Sequence, residues 1–298
     1  MRLLTLILVS CLLAFEGTTS LYAAIVIDGY THATNDRFTD SPTFVLNGSD
    51  LSGVGQDASG RWATAISRNV IISANHFQPS GTVFFFPDNN PNSIPVQRTI
   101  VSGTKVGATD LWVGVLNQNL PGSISEFAFA TTPLSGTPPN GNNFFLENAG
   151  IYQGLNSFMF GRSPFDETIN GDARFAFNDQ AVGRNLISGY VENIPFTDAD
   201  NDSLLMIRDA LGSPDHVLFE ALFQGGDSGG PTFVEQNGSL VLLGTNAFIA
   251  DDSSFSGINY TGNQASFITN FININAVPEP NGILLLAFGL LFRVRRRK

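Results

Sequence analysis

Short apolar runs, separated by clusters of turn-forming residues, fill the middle of the chain and point to a β architecture. Arg61 to His76 (RWATAISRNVIISANH) holds two such runs split by Ser67-Arg68-Asn69, which reads as a hairpin. Thr82 to Pro87, Leu111 to Leu116, Ser157 to Phe160 and Ser239 to Leu243 are further strand candidates. Turn clusters separate them at Asp88-Asn89-Asn90-Pro91, at 136–141 (GTPPNG) and at Asn237-Gly238. Regular short strands with this punctuation favour a β-barrel or a sandwich. The Pro/Gly/Asn-rich stretch 133–143 marks an internal boundary, and Phe267 to Ile274 reads as a short terminal helix. Composition agrees with this reading. Of 298 residues 43% are hydrophobic, 26 are Phe and only 14% are charged, so the chain can build a core and is not a charge-driven disordered polymer. The length allows one domain of two lobes or two small domains.

The two ends read as addresses. Arg2, the apolar run Leu3 to Phe15 and the small residues ending in Ala23-Ala24 form a secretory signal pattern over residues 1–24. Cleavage after Ala24 places Tyr22 at the −3 position, where a small residue is preferred. Leu8-Val9-Ser10-Cys11 competes as a lipobox, but the apolar run continues past Cys11 as one signal core. At the other end Pro278-Glu279-Pro280 precedes an apolar run, Ile283 to Phe292, and then Arg293, Arg295, Arg296, Arg297 and Lys298. That run is about half the ~20 residues of a comfortable bilayer span, and the basic stop favours a cytoplasmic C-terminus. Residues 277–298 resemble the PEP-CTERM sorting signal of Gram-negative bacteria. The resemblance implies transient hold in the inner membrane, removal by an exosortase-type sorting enzyme, and a final place in the periplasm, at the cell surface or outside the cell. A simple membrane anchor is the competing reading.

Between the ends, residues 25–276 carry nine basic against 24 acidic residues, a net charge of −15. This acidic balance argues against nucleic acid as a partner, because phosphate binding needs clustered Lys and Arg. The single Cys11 lies in the leader, so the exported part has no disulfide. A core of this size does not need one.

The sharpest chemical signal is Gly225-Gly226-Asp227-Ser228-Gly229-Gly230-Pro231. A Ser among glycines exposes its Oγ, and a Gly-x-Ser turn can aim two backbone N–H groups at a developing oxyanion. Serine needs a base, usually His, and a carboxylate to orient that base. The chain offers three histidines, His32, His76 and His216, all before Ser228. The α/β-hydrolase elbow needs its His after the Ser, so that order fails. A subtilisin order needs Asp before His, and no Asp before His76 has the expected Asp-Thr/Ser-Gly setting. The order His, Asp, Ser remains.

Val70-Ile71-Ile72-Ser73-Ala74-Asn75-His76 resembles the Thr-Ala-Ala-His motif of the chymotrypsin/trypsin-like serine proteases. Asp110 to Leu116 (DLWVGVL) resembles their Asp-Ile-Ala-Leu-Leu strand, and Gly226 to Pro231 is an unbroken Gly-Asp-Ser-Gly-Gly-Pro. The three motifs follow in order, 34 and then 118 residues apart. The resemblance covers about 45 to 275. It implies an all-β fold of two six-stranded antiparallel barrels, about 45–135 and 140–275, with the active site in the cleft between them. It implies Ser228 as nucleophile, His76 as base and then acid, Asp110 as the orienting carboxylate, and the N–H groups of Gly226 and Ser228 as the oxyanion hole. Leu222, six before the nucleophile where a trypsin has Asp, implies an apolar or small preference rather than Lys or Arg. Ala247 and Phe248 would line one wall of the pocket and meet substrate backbone. The expected function is an exported serine endopeptidase acting on peptide or protein. A catalytically inactive relative that binds peptide or matrix polymer is the alternative. No cofactor is required.

Three further features have a reading. In trypsin-like zymogens a freed Ile-Val terminus pairs with the Asp before the Ser. Here that would be Ile25-Val26 and Asp227, against coincidence as the plainer account. Asp198, Asp200, Asp202 and Asp209 have the spacing of an EF-hand calcium loop, but Ser203 stands where that loop needs Gly and Asp209 where it needs Glu. A solvated acidic turn is the plainer reading. His32 and His216 read as structural or surface residues, and Trp62 and Trp112 as core.

Overall fold

The computed structural model describes residues 3–5, 24–90, 92–137, 143–164, 176–196, 198–250 and 252–276. Residues 1–2, 6–23 and 277–298, where the signal and sorting-tail readings fall, lie outside the described residues. Ahead of the lobes come β1 (Leu3–Thr5), β2 (Val26–Ile27) and the single turn α1 (His32–Asn35).

The first lobe is a closed barrel of β3 (Val54–Asp57), β4 (Trp62–Ala65), β5 (Val70–Ala74), β6 (Thr82–Phe85), β7 (Val96–Lys105) and β8 (Leu111–Leu116). Its spatial order is β3-β4-β5-β8-β7-β6, antiparallel throughout. Closure removes the free edges that a six-stranded sheet would expose. β5 and β8 are buried at every position, which is why they appear in the sequence as unbroken apolar runs rather than alternating ones. Gly103 and Gly114 face each other on β7 and β8, and the Trp112 ring lies across both.

The second lobe is one eight-stranded sheet. Its strands are β9 (Ala128–Phe129), β11 (Asn156–Gly161), β12 (Ala181–Leu186), β13 (Gly189–Phe196), β14 (Ala199–Ile207), β16 (Pro231–Gln236), β17 (Ser239–Ile249) and β18 (Phe255–Tyr260). They run in the order β12-β11-β16-β17-β18-β14-β13, with β9 parallel to β17. β10 (Asn143–Phe145) pairs with β1, and β15 (Ala221–Leu222) pairs with β2. The helix α2 (Ala265–Asn275) follows β18 and packs Ile268, with Phe271 and Ile272, on the shared core.

The all-β, two-lobe expectation holds. The second lobe has eight strands rather than six, because the acidic stretch 162–215 contributes β12, β13 and β14, and β9 adds a parallel neighbour. One apolar cluster spans the junction. Val54, Trp62, Val70 and Ile72 of the first lobe pack with Phe158, Phe160, Phe233 and Leu242 of the second. The rings of Trp62 and Phe160 meet edge to face at 6.4 Å.

Candidate active site

β5 pairs with β8 so that Ala74 faces Leu111. The residues just beyond that pair, on the turn Asn75–Phe77 and at Asp110, therefore meet at one end of the barrel. The Asn75 N–H donates to the Asp110 carbonyl at 2.5 Å. The His76 N–H donates to Asp110 Oδ1 at 2.8 Å, and His76 Nδ1 lies 2.6 Å from Asp110 Oδ2. A carboxylate can only accept, so Nδ1 carries the proton and Nε2 presents a lone pair. Asp110 is buried, and the His76 side chain is 25% exposed. That contrast suits an orienting carboxylate behind an accessible base.

Ser228 lies half-buried on the turn between β15 and β16. Gly226 and Gly229 hold this turn with φ of 105° and 82°, a region that glycine enters without steric cost. Turn bonds run from the Asp227 N–H to the Gln224 carbonyl, from the Gly230 N–H to the Asp227 carbonyl, and from the Gly229 N–H to the Asn246 carbonyl. The N–H groups of Gly226 and Ser228 have no protein partner among the described residues. Two unpaired donors beside an accessible hydroxyl can receive an anionic oxygen. A methyl on Gly229 would lie 2.5 Å from Ser73 Oγ and 3.1 Å from the Ala74 nitrogen. The serine turn therefore rests against the end of β5, two residues before His76.

Asp227 is fully buried beneath the turn. It accepts the Arg162 N–H and the Gln224 N–H, each at 2.7 Å. Burial pushes its carboxyl up to about 8, against the pull of those two hydrogen bonds. Ile25 is also buried and donates its N–H to the Arg162 carbonyl at 3.0 Å. A methyl on Gly161 would touch both the Ile25 Cβ, at 2.6 Å, and Asp227 Oδ1, at 2.8 Å. The Ile25-Val26 segment and the serine turn thus meet on one glycine.

Leu222 is buried in β15 opposite Val26. Ala247 is buried, and the half-buried Phe248 covers Gly257 with its ring and meets the Phe255 ring edge-on at 6.4 Å. Phe196, at the end of β13, stands between the lobes. Its ring is 5.1 Å from the His76 ring and 6.2 Å from that of Phe248. The sequence reading missed Phe196, and it missed Asn201 and Asn259, which bond to Asp110 from the second lobe. Asparagine is a poor strand residue, so Asn259 within 255–260 (FSGINY) was an available signal, whereas Asn201, flanked by Asp200 and Asp202, was hidden in an acidic run.

The remaining candidates fall elsewhere. Asp198 is at the tip of the β13–β14 hairpin, and Asp200 and Asp202 are on β14 itself. Asp202 accepts the Asn193 N–H at 3.2 Å and Asn263 Nδ2 at 2.8 Å. Among the described residues no three His, Cys, Asp or Glu side chains gather to hold a metal. His32 bonds to Asp36 at 2.5 Å, and His216 lies 3.5 Å from Asp28. Trp62 and Trp112 are both core residues.

No family model matches this chain, and no curated protein matches it. Among solved structures it is similar to human heparin binding protein, at 15% identity and a TM-score of 0.47, over 77% of this chain and 95% of that one. It is also similar to the NS6 protease from murine norovirus 1, at 14% identity and a TM-score of 0.41, over 76% of this chain and 96% of that one.

Proposed function

We propose that this chain is an exported serine endopeptidase of trypsin-like type, working through His76, Asp110 and Ser228. The observation that carries the reading is the His76–Asp110 pair at the lobe junction, beside a serine turn with two unpartnered N–H donors. In the proposed reaction His76 Nε2 takes the Ser228 Oγ proton as Oγ attacks the scissile carbonyl. The carbonyl oxygen, now anionic, enters the Gly226 and Ser228 donors. The proton then passes from His76 to the leaving amine, leaving an acyl-enzyme on Oγ. Water, deprotonated by the same nitrogen, cleaves that ester and restores the serine. Asp110 holds the imidazole tautomer and stabilises its charge. Leu222, Ala247 and Phe248 favour an apolar or small side chain at the cleavage site, since none offers a carboxylate to Lys or Arg. Export and sorting through the inner membrane rest on the two ends of the sequence.

Leader removal between Ala24 and Ile25 belongs to the same proposal. It would replace an amide by an ammonium beside the buried Asp227, adding a cation to the partial compensation that Arg162 gives. Formation of the active turn would then be coupled to maturation.

The test is labelling with a fluorophosphonate probe, which reacts with an activated serine. The chain starting at Ile25 is expected to label, and Ser228→Ala and His76→Ala are expected to abolish labelling. A folded Ile25 chain that does not label would sink the protease reading and favour a peptide-binding module.

A further inference from the structure

Asp110 is held from two sides. Its own lobe supplies the two bonds from His76. The second lobe supplies two more, from residues far away in sequence. Asn259 Nδ2, on β18, donates to Asp110 Oδ2 at 3.2 Å, and Asn201 Oδ1, on β14, accepts the Asp110 N–H at 2.7 Å. Both side chains are buried, at 1% and 0% exposure. The amide orientations are fixed by chemistry, because a carboxylate only accepts and a backbone N–H only donates.

The surroundings of these two asparagines are unlike those of ordinary core residues. Ser203 faces Asn259 across the β14–β18 ladder, and Thr245 faces it across β17–β18. Asn201 is two residues before Ser203 on the same strand, hence on the same face. Among the described residues the second carboxamide atoms, Asn201 Nδ2 and Asn259 Oδ1, find no partner, and neither do Ser203 Oγ and Thr245 Oγ1. A half-satisfied buried carboxamide is a worse core residue than an aliphatic one. Packing alone therefore does not account for either asparagine, whereas the bonds to Asp110 do.

The same hairpin strand ties the lobes together around the site. Lys105 Nζ donates to the Asp198 carbonyl, the Asp200 N–H donates to the Ala108 carbonyl, and Phe196 lies against His76. Asp110 is thus fixed relative to the second lobe, which also carries Ser228.

We infer that Asn259 and Asn201 are positioning residues for the His76–Asp110 pair, Asn259 orienting its carboxylate and Asn201 holding its backbone N–H from the opposite lobe, so that His76 Nε2 is aimed at the serine turn. This rests on the proposed protease reading for its catalytic consequence, but not for its effect on His76. The Asn259 N–H draws charge from Asp110 Oδ2. Without it the carboxylate attracts the Nδ1 proton more strongly and favours the imidazolium. An Asp at 259 adds a second negative charge and does so further. Asp110 bonds His76 directly; the charged groups on the segments next to the pair are Arg61, which stacks on Phe77 and bonds to the Gln78 carbonyl, and Asp198, Asp200 and Lys105 on the hairpin that bonds to Ala108.

The experiment uses the chain starting at Ile25 and measures the His76 ring titration by NMR together with the rate of fluorophosphonate labelling against pH. Asn259→Leu and Asn259→Asp are compared with Asn263→Ala, a variant in a half-buried hydrogen-bond network that does not touch Asp110. The expected result is an upward-shifted His76 midpoint in both Asn259 variants, larger in Asn259→Asp. Labelling is expected to slow by about 10- to 100-fold, the scale of cost when a catalytic group is misplaced by about 1 Å. Asn259→Asp keeps the shape of the side chain and so remains informative where Asn259→Leu fails to fold. Midpoints that move no further than in Asn263→Ala overturn the inference, even if the wild type labels. If the wild type does not label but the midpoints move as expected, the positioning role stands and the protease reading falls.

Discussion

Asp227 follows Gly226 in a glycine turn, yet it is wholly buried with a carboxyl pushed up to about 8. Burial outweighs two backbone hydrogen bonds and the nearby Arg162. The consequence for stability has a definite sign. Between the ordinary carboxylate range and about pH 8 the folded chain holds a proton that the unfolded chain has lost. Raising the pH through that window therefore favours unfolding. Stability is greatest below the window and falls across it by several kcal/mol, at roughly 1.4 kcal/mol for each tenfold difference in proton affinity between the folded and unfolded chain. In the full chain the urea midpoint should drop between about pH 5 and pH 8, and Asp227→Asn should remove most of that drop. The chain starting at Ile25 should show a flatter profile, because an ammonium there stabilises the ionised carboxylate. Equal slopes in the full chain and its Asp227→Asn variant would show that Asp227 does not govern the pH response. The glycines and the serine of this turn were legible in the sequence. The burial of Asp227 was not, because it depends on Gly161 and Ile25 closing over it from other parts of the chain.

At the scale of elements, the site depends on how closely three pieces approach: the end of β5, the start of β8 and the serine turn. β5 and β8 were readable as strands because both bury every residue, and their pairing alone brings His76 to Asp110. The approach of the serine turn depends on Gly229, which has positive φ and no room for a side chain next to Ser73 and Ala74. Gly229→Ala should cost about 1–3 kcal/mol from backbone strain alone. It should also push Ser228 away from His76. Labelling should fall by more than the loss of folded protein explains, which a denaturation curve run beside the labelling assay checks. Retained labelling at wild-type rate would mean the turn can relax without moving Ser228. The β13–β14 hairpin was the element the sequence hid. Asn193 has a φ of 53° and the ladder shifts register between Val191 and Ile194, so the alternation that marks a strand is broken where it would have been read.

For the molecule as a whole, the issue is how two lobes are kept in register. Arg37 lies fully buried where they meet. Its Nη1 donates to the Val54 carbonyl of the first lobe and to Gln180 Oε1 next to β12 of the second. Its Nη2 donates to the Phe86 carbonyl, and its Nε to Asn89 Oδ1. Burial lowers its pKa to about 9, so it remains charged at neutral pH. Arg37→Leu should leave these acceptors unpaired at about 1–3 kcal/mol for each buried group, a loss of several kcal/mol in all. Urea denaturation followed by tryptophan fluorescence, with Trp62 at the junction, measures it. A loss below about 1 kcal/mol would mean that the shared apolar core alone holds the lobes. By itself the sequence determined the β class, the main barrel strands, the serine turn and the order His, Asp, Ser of the three candidate residues. These follow from local rules, because side-chain alternation, turn chemistry and motif spacing are properties of neighbouring residues. Only the tertiary structure decided what surrounds Asp110. Its bonds to Asn201 and Asn259 join residues 91 and 149 positions apart, and such contacts form only when the two lobes dock and bury their shared core.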